Sequence, residues 1–206
     1  MLYSTLPGIV LGFHGCDREL GEEVLAGKQD LRNSENDYDW LGHGIYFWEN
    51  NPKRALQFAK EGSGGRRGEG SIIKEPFVIG AAIDLGHCLN FLDSESLVEV
   101  KQAHQILKET SKRAGYEMPR NQKPEPRQDS LIRKLDCAVI LALHASRRSK
   151  RFPSYDSVRG VFWEGKELFE GTTLREKNHI QISVKTPNCI KGYFRVRKAD
   201  LKHPLP

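Results

Sequence analysis

Gly42-His43-Gly44-Ile45-Tyr46-Phe47-Trp48-Glu49-Asn50-Asn51-Pro52-Lys53-Arg54-Ala55 begins with two glycines around a histidine, passes into an apolar-aromatic run and ends on a helix start. Asn50 or Asn51 is a capping residue, and Pro52 suits the first helical position because its missing N–H would be unpaired there anyway. The stretch predicts a short strand feeding a helix. Glycine ahead of an aromatic strand lets the backbone approach a flat ligand, and aromatic faces stack on planar, cationic heterocycles. The same residues equally describe a packed aromatic corner of a core. A second segment answers the first: Gly12-Phe13-His14-Gly15-Cys16, at the end of the first apolar run.

Outward from these two, residues 8–16 (GIVLGFHGC) form a short branched and aromatic run between Pro7 and Asp17, which predicts a buried strand. On a strand His14 shares a face with Val10 and Gly12, while Leu11 and Phe13 point the other way. Residues 17–28 read as a short acidic helix with Leu20, Val24 and Leu25 as its stripe, and 29–39 as a polar loop. Residues 52–61 read as a helix with Ala55, Phe58 and Ala59 inward, stopped by Gly62. The basic glycine-rich run 62–70 suits a surface connector and also mobile phosphate contact. Residues 71–84 supply one or two strands, with Pro76 marking an edge or a break.

The middle of the chain is helical. Residues 94–115 place Leu97, Val100, Ala103 and Leu107 at helical spacing, and 118–127 carries three prolines and reads as a surface loop. Residues 130–146 predict a second helix capped by Ser130, apolar all round over 138–143 and therefore deeply packed. Together these define a helical insert over about 94–150. The basic run Arg147-Arg148-Ser149-Lys150-Arg151 fits a solvated helix end with cations at the C-terminal dipole, and fits nucleic-acid contact as well.

Strand character returns at 158–163, and a long polar loop follows over 164–178. His179-Ile180-Gln181-Ile182-Ser183-Val184-Lys185 is the cleanest alternation in the chain. Ile180, Ile182 and Val184 take one face, and His179, Gln181 and Ser183 the other. Residues 189–196 are expected as the strand beside it. Strands at both ends with helices between them give an α+β class, read as one domain over 1–206.

With 206 residues the chain is long enough to bury a substantial core. Its net charge of +5, from 32 Lys+Arg against 27 Asp+Glu, suits nucleic acid, nucleotides or an acidic protein, and suits a plain basic surface equally. Cys16, Cys88, Cys137 and Cys189 lie far apart, without C-x-x-C pairs or histidines at zinc spacing, so reduced thiols in a cytoplasmic protein and no metal site are expected. The first eleven residues lack a basic segment followed by a long apolar core, so no signal peptide is expected. No run reaches the roughly eighteen apolar residues of a membrane helix, so no membrane association is expected.

Taken together, His14-Gly15 at a strand end, Gly44-Ile45-Tyr46-Phe47 with Lys53 and Ala55 following, and Gln181 on a late strand resemble the ADP-ribosyltransferase superfamily. The resemblance is to the branch shared by diphtheria toxin and the catalytic domains of poly(ADP-ribose) polymerases. It touches the start of the chain and the stretches near 46 and 181; residues 85–157 take no part. Val158-Arg159-Gly160-Val161-Phe162-Trp163-Glu164-Gly165 and Glu176-Lys177-Asn178-His179-Ile180-Gln181-Ile182 look more narrowly like stand-alone bacterial members, suspected toxins of toxin–antitoxin or phage-defence systems. The implied fold is a split mixed or antiparallel sheet with flanking helices.

The resemblance implies a mono-ADP-ribosyltransferase using NAD as co-substrate and no metal. His14 would hold a ribose hydroxyl and Gly15 would pair its backbone with the nicotinamide carboxamide. Tyr46 would stack on the nicotinamide ring, with Gly44 and Phe47 beside it. Phe58 would close the sandwich from the next helix, although the ungapped match falls on Gln57. Arg54 occupies the position of a serine that touches the carboxamide. Scission of the N-glycosidic bond builds positive charge on the ribose, as in glycosidases. The branch usually places a glutamate there, where this chain has Gln181; Glu176 and then Glu170 are the nearby carboxylates in sequence. Phe169, Leu174, Arg175 and Lys177 fall where the family keeps its acceptor-recognition loop. The acceptor is RNA, DNA or protein, with nucleic acid favoured by the basic balance, and an antitoxin covering the cleft is the expected partner.

Three other functions fit the same residues. An RNA 2′-phosphotransferase on this fold also consumes NAD and would need Arg54 or Arg159 to grip a 2′-phosphate. A module that binds NAD or ADP-ribose without turnover is compatible with the neutral Gln181. A basic RNA-binding domain outside the family would carry motifs that are not found here.

Overall fold

Residues 8–62, 73–122 and 132–198 are described by the structure, a computed structural model of the chain. Predictions made on the glycine-rich run beyond Gly62 and on the Ser130 cap lie outside them. The described residues form an α+β fold with four α-helices and a mixed seven-stranded sheet.

β1 (Val10–Asp17) leads into α1 (Arg18–Leu25), whose first turn is capped by the Asp17 carboxylate accepting from the Glu19 N–H. β2 (Ile45–Glu49) leads into α2 (Pro52–Gly62), where the Asn51 side chain accepts from the Arg54 N–H at 3.0 Å. Asn50 sits at a φ of +49°, the turn that separates strand from helix. β3 (Pro76–Ile83), β4 (Cys88–Asn90) and the long α3 (Ser94–Ala114) follow, then a small hairpin of β5 (Asn121–Gln122) and β6 (Ile132–Arg133). α4 (Lys134–Ser149), β7 (Ser157–Phe162), β8 (His179–Val184) and β9 (Ile190–Arg195) complete the chain.

The strand order is β4-β7-β8-β2-β1-β3-β9, antiparallel throughout except for the parallel pair β4–β7. The β1–β2 ladder is the weak seam. β1 matches β3 over eight residue pairs, whereas only Gly12↔Glu49 and Phe13↔Trp48 are paired between β1 and β2. The sheet thus consists of two halves joined at a short contact.

One face carries a core shared by both halves, built from Val10, Phe47, Ile79, Ile182 and Val184, with Val24 of α1 packed on it. The other face carries two separate apolar clusters. Phe13, Trp48 and Ala55 pack beneath α2, and Leu41, Leu89, Ile140, Leu143 and Val158 pack beneath α3 and α4. The polar face of β8 is therefore covered: His179, Gln181 and Ser183 are all buried.

Several expectations change in three dimensions. The strand at the end of the chain does not lie beside β8; a turn at Pro187–Cys189 carries it across, and β9 pairs with β3 at the opposite edge. Pro76 opens β3: it is paired with Asp17 of β1 and, among the described residues, has no partner on the other side, where the β9 ladder starts at Ile79, so its missing N–H costs little. α4 begins at Lys134, four residues after Ser130, because Ile132 and Arg133 are used in the hairpin. Leu97 is 49% exposed, since α3 turns only Val100, Ala103 and Leu107 toward the core. Arg147 is not free in the basic run; it donates to both Glu99 oxygens, at 2.7 and 3.0 Å.

Candidate functional site

The gap between the two clusters on the outer face is where the polar chemistry gathers. In the β2–β8 register Tyr46 lies opposite Ser183 and Trp48 opposite Gln181, and in the β7–β8 register Gln181 faces Gly160 and His179 faces Phe162. These side chains form one row across the sheet. α2 supplies Arg54 and Phe58 on one side of it, and Arg133, just ahead of α4, closes the other.

Aromatic rings frame this gap. The Trp48 and Phe58 centroids are 4.8 Å apart, and Trp40 stacks on Phe162 at 3.7 Å. His179 lies about equally between the two pairs, 6.3 Å from Trp48 and 5.9 Å from Phe162. The Arg54 guanidinium sits 5.7 Å from the Trp48 ring and that of Arg133 4.3 Å from Trp40.

Arg54, only 7% exposed, donates to Glu164 at 2.8 Å, and Glu61 is 3.9 Å away. A buried guanidinium requires such a partner, because its lone burial would cost several kcal/mol, on the order of 3–5 for a broken pair. Glu164 also stands 4.0 Å from His179 Nδ1. The His179 Nδ1–H donates to the Lys177 carbonyl at 2.6 Å, which leaves Nε2 as the lone-pair nitrogen. Burial holds the His179 pKa below its ordinary value, so the ring is neutral.

Among the described residues, seven buried side-chain atoms have no hydrogen-bond partner, and six belong to this gap. They are Trp48 Nε1, Arg54 Nε and Nη1, Arg133 Nε, His179 Nε2 and Gln181 Oε1. Each unpaired buried polar atom costs about 1–3 kcal/mol, so native proteins carry few of them. Four donors and two acceptors on one wall make a surface that a polar, partly aromatic ligand would satisfy.

His14 lies elsewhere on the sheet. Its alternation with Phe13 and its place opposite Ile79 put its side chain on the shared-core face, where its ring meets the edge of Phe47 at 5.8 Å. It reaches Tyr46 only through the backbone, donating from Nδ1 to the Tyr46 carbonyl at 2.8 Å where β1 and β2 part. That bond fixes the tautomer and leaves Nε2 as an acceptor. Burial lowers the His14 pKa and keeps the ring neutral. The three side chains His14, Tyr46 and Gln181 therefore do not share one face; Tyr46 and Gln181 do.

The remaining candidates have clear places. The Tyr46 hydroxyl accepts from the Leu41 N–H at 3.0 Å and donates to the Gly42 carbonyl at 2.8 Å, which pins the ring. Phe47 is fully buried in the core and forms the wall behind His14. Gly44 lets β2 close on β8: a Cβ there would stand 2.4 Å from Ser183 Oγ. Gly15 lies beneath α2, with the Ala55 carbonyl oxygen 2.2 Å from where a Cβ would be. Because the Leu11 carbonyl accepts from Asn50 of the β2 turn, the odd residues of β1 direct their peptide groups toward β2. Gly15 is two residues past the last pair of that ladder, so its peptide faces the parting.

Glu176 accepts from the Lys166 N–H at 3.3 Å within its own loop, and Glu170 is exposed; neither enters the gap. Glu164 does, between Arg54 and His179, with Glu61 behind Arg54. His179 was legible as a neighbour of Gln181 by alternation, whereas Trp48 meets it only through the β2–β8 register, and Glu164, Arg133 and Trp40 converge from separate segments and carry no local signal. Comparison of the chain with protein-family models, with curated proteins and with solved structures gave no match. No group of His, Cys, Asp and Glu able to hold a metal occurs among the described residues, and no helix among them is long and apolar enough to cross a membrane.

Proposed function

We propose that the chain is an NAD-dependent mono-ADP-ribosyltransferase of the split-sheet superfamily, acting on a macromolecular acceptor. The observation that carries this reading is the set of six unpartnered buried polar atoms around Trp48 and Gln181. The motif resemblance and the short β1–β2 ladder support it. The residues fit NAD: aromatic rings for the nicotinamide, hydrogen-bond donors for the carboxamide and phosphates, and acceptors for ribose hydroxyls.

In this reading the dinucleotide bends around the end of the β1–β2 pairing. The Gly15 peptide and His14 Nε2 meet it on one side of the parting, and Trp48, Gln181 and His179 meet it on the other. NAD supplies an anomeric carbon whose bond to the nicotinamide nitrogen breaks as a bond to an acceptor oxygen or nitrogen forms; nicotinamide leaves neutral and the acceptor loses a proton. Gln181 orients a ribose hydroxyl but carries no charge. Glu164 is the carboxylate placed to balance the growing positive charge and to take the proton, with Arg54 holding it in place.

The phosphotransferase reading, which would need Arg54 or Arg159, has less support because each guanidinium already holds a carboxylate, leaving only Arg54 Nε and Nη1 open to a 2′-phosphate. Arg54 is paired with Glu164, and Arg159 forms a bidentate pair with Glu49 at 2.5 and 2.8 Å. Assignment as a toxin with a cleft-covering antitoxin rests on resemblance. The loop after β7 adds exposed Trp163, Leu168, Phe169 and Leu174, an apolar surface suited to an acceptor or to such a partner.

The test is incubation of the purified chain with adenylate-labelled NAD in the presence of cell lysate, RNA or DNA. Label on one macromolecular fraction, reduced about 100-fold or more in Glu164→Gln, is the expected result. Release of ADP-ribose 1″,2″-cyclic phosphate from 2′-phosphorylated RNA would replace this reading by the phosphotransferase, and NAD binding without turnover would replace it by the binding module.

A further inference from the structure

A concavity lies on the same face, displaced along β8 toward its C-terminal end. It has a volume of about 600 Å³ and is bounded by α4, by Leu107 of α3, by His43 ahead of β2 and by Lys185 just after β8. Leu107 and Leu141 with Ala138, Ala142 and Ala145 give it an apolar wall, and Arg148, Lys185 and His144 stand around it.

Among the described residues no carboxylate lines this cavity. Arg148 lies close enough to Lys185 for the two cations to repel, and the Lys185 ammonium, which donates to the His43 carbonyl at 3.1 Å, has no acidic partner among the described residues. Asp39, the carboxylate nearest His43, is taken up by hydrogen bonds from Ser34 Oγ and the Asn36 N–H. His144 is 6% exposed, and its Nε2 is the seventh of the unpartnered buried atoms, the one that lies outside the candidate active site. Two uncompensated cations and an unsatisfied ring nitrogen beside an apolar wall form a built site for an anion with a flat apolar body.

We propose that this cavity binds a nucleoside monophosphate, its phosphate between Arg148 and Lys185 and its base against Leu141 and Ala142. The charge count selects the phosphate: a phosphomonoester carries close to −2 near neutral pH and balances both cations, whereas a carboxylate would leave one unmatched. The volume falls in the ordinary range of small-molecule sites, roughly 300–1,000 Å³. The proposal stands independently of NAD turnover, because none of its residues belongs to the gap around Trp48.

The test is titration of the full chain with adenosine 5′-monophosphate, adenosine and inorganic phosphate, read from the methyl resonances of Leu107 and Leu141. Those methyls line this cavity, and the Trp48 indole N–H, followed in the same titration, distinguishes nucleotide that enters the other site. The monophosphate is expected to shift them saturably, at least about tenfold more tightly than adenosine or phosphate. Arg148→Glu, an exposed change at a helix end, is expected to weaken that binding by about tenfold or more, and Lys185→Met likewise. Adenosine or phosphate binding as tightly as the monophosphate would overturn the proposal. So would an unchanged affinity in folded Arg148→Glu, or methyls that do not respond.

Discussion

At the scale of single residues, the distinction that matters is between side chains that the fold needs and side chains that it tolerates at a cost. Gly15 is needed. A methyl group there would lie 2.2 Å from the Ala55 carbonyl oxygen, so Gly15→Ala should destabilise the chain by about 1–3 kcal/mol in urea unfolding. Tyr46 is needed through its hydroxyl, which satisfies the Leu41 N–H and the Gly42 carbonyl. Tyr46→Phe should lower stability by about 1–2 kcal/mol while leaving label transfer largely intact, since the ring remains. Gln181 is the opposite case. Its Oε1 has no partner within the fold, so Gln181→Leu should retain or raise the melting temperature while label transfer falls about 100-fold. A residue that served only packing would lose stability and activity together.

At the scale of elements, the loop between β7 and β8 is tied down at its base and exposed at its tip. Lys177 pairs with Glu61 at 3.1 Å, Arg175 with Glu167 at 3.3 Å, and Glu164 with Arg54. Phe169, by contrast, is 63% exposed. Phe169→Ser should therefore change acceptor labelling several-fold and leave NAD affinity unchanged, as measured by label transfer alongside calorimetry. Elements whose signal is local were readable in advance: the alternation of β8, the Asn51–Pro52 start of α2 and the stripe of α1 each appear where the residues place them. The course of β9 was not readable, because pairing with β3 rather than β8 is set by the turn at Pro187–Cys189 and by which edge remains open. The same limit applies to the site. The facing of Gln181 follows from the alternation of β8, whereas Trp48 reaches it through a β2–β8 pairing with no local signal and Glu164 reaches Arg54 across 110 positions of sequence, convergences that no spacing rule encodes.

At the scale of the whole molecule, three histidines, two buried and His14 partly so, set the response to acid. His14, His144 and His179 all have folded pKa values below the ordinary histidine value of 6.5, each chiefly through burial, and His144 is pushed down to about 3. The unfolded chain binds protons first, so the stability these groups contribute is intact above pH 6.5 and is lost as pH falls toward 3. Chemical denaturation between pH 7 and pH 4 should show declining stability, with a shallower decline in His144→Gln. Label transfer should fall over the acid part of that range as well, because protonation of His14 or His179 converts the acceptor Nε2 into a donor.

The central claim is that one dinucleotide engages both sides of the β1–β2 parting. It is tested most directly by following the Trp48 indole N–H and the His14 ring in nuclear magnetic resonance spectra while NAD is added. Both signals are expected to move saturably and with one affinity, while the exposed Trp163 indole stays still. Movement of neither, or of one without the other, would contradict the account.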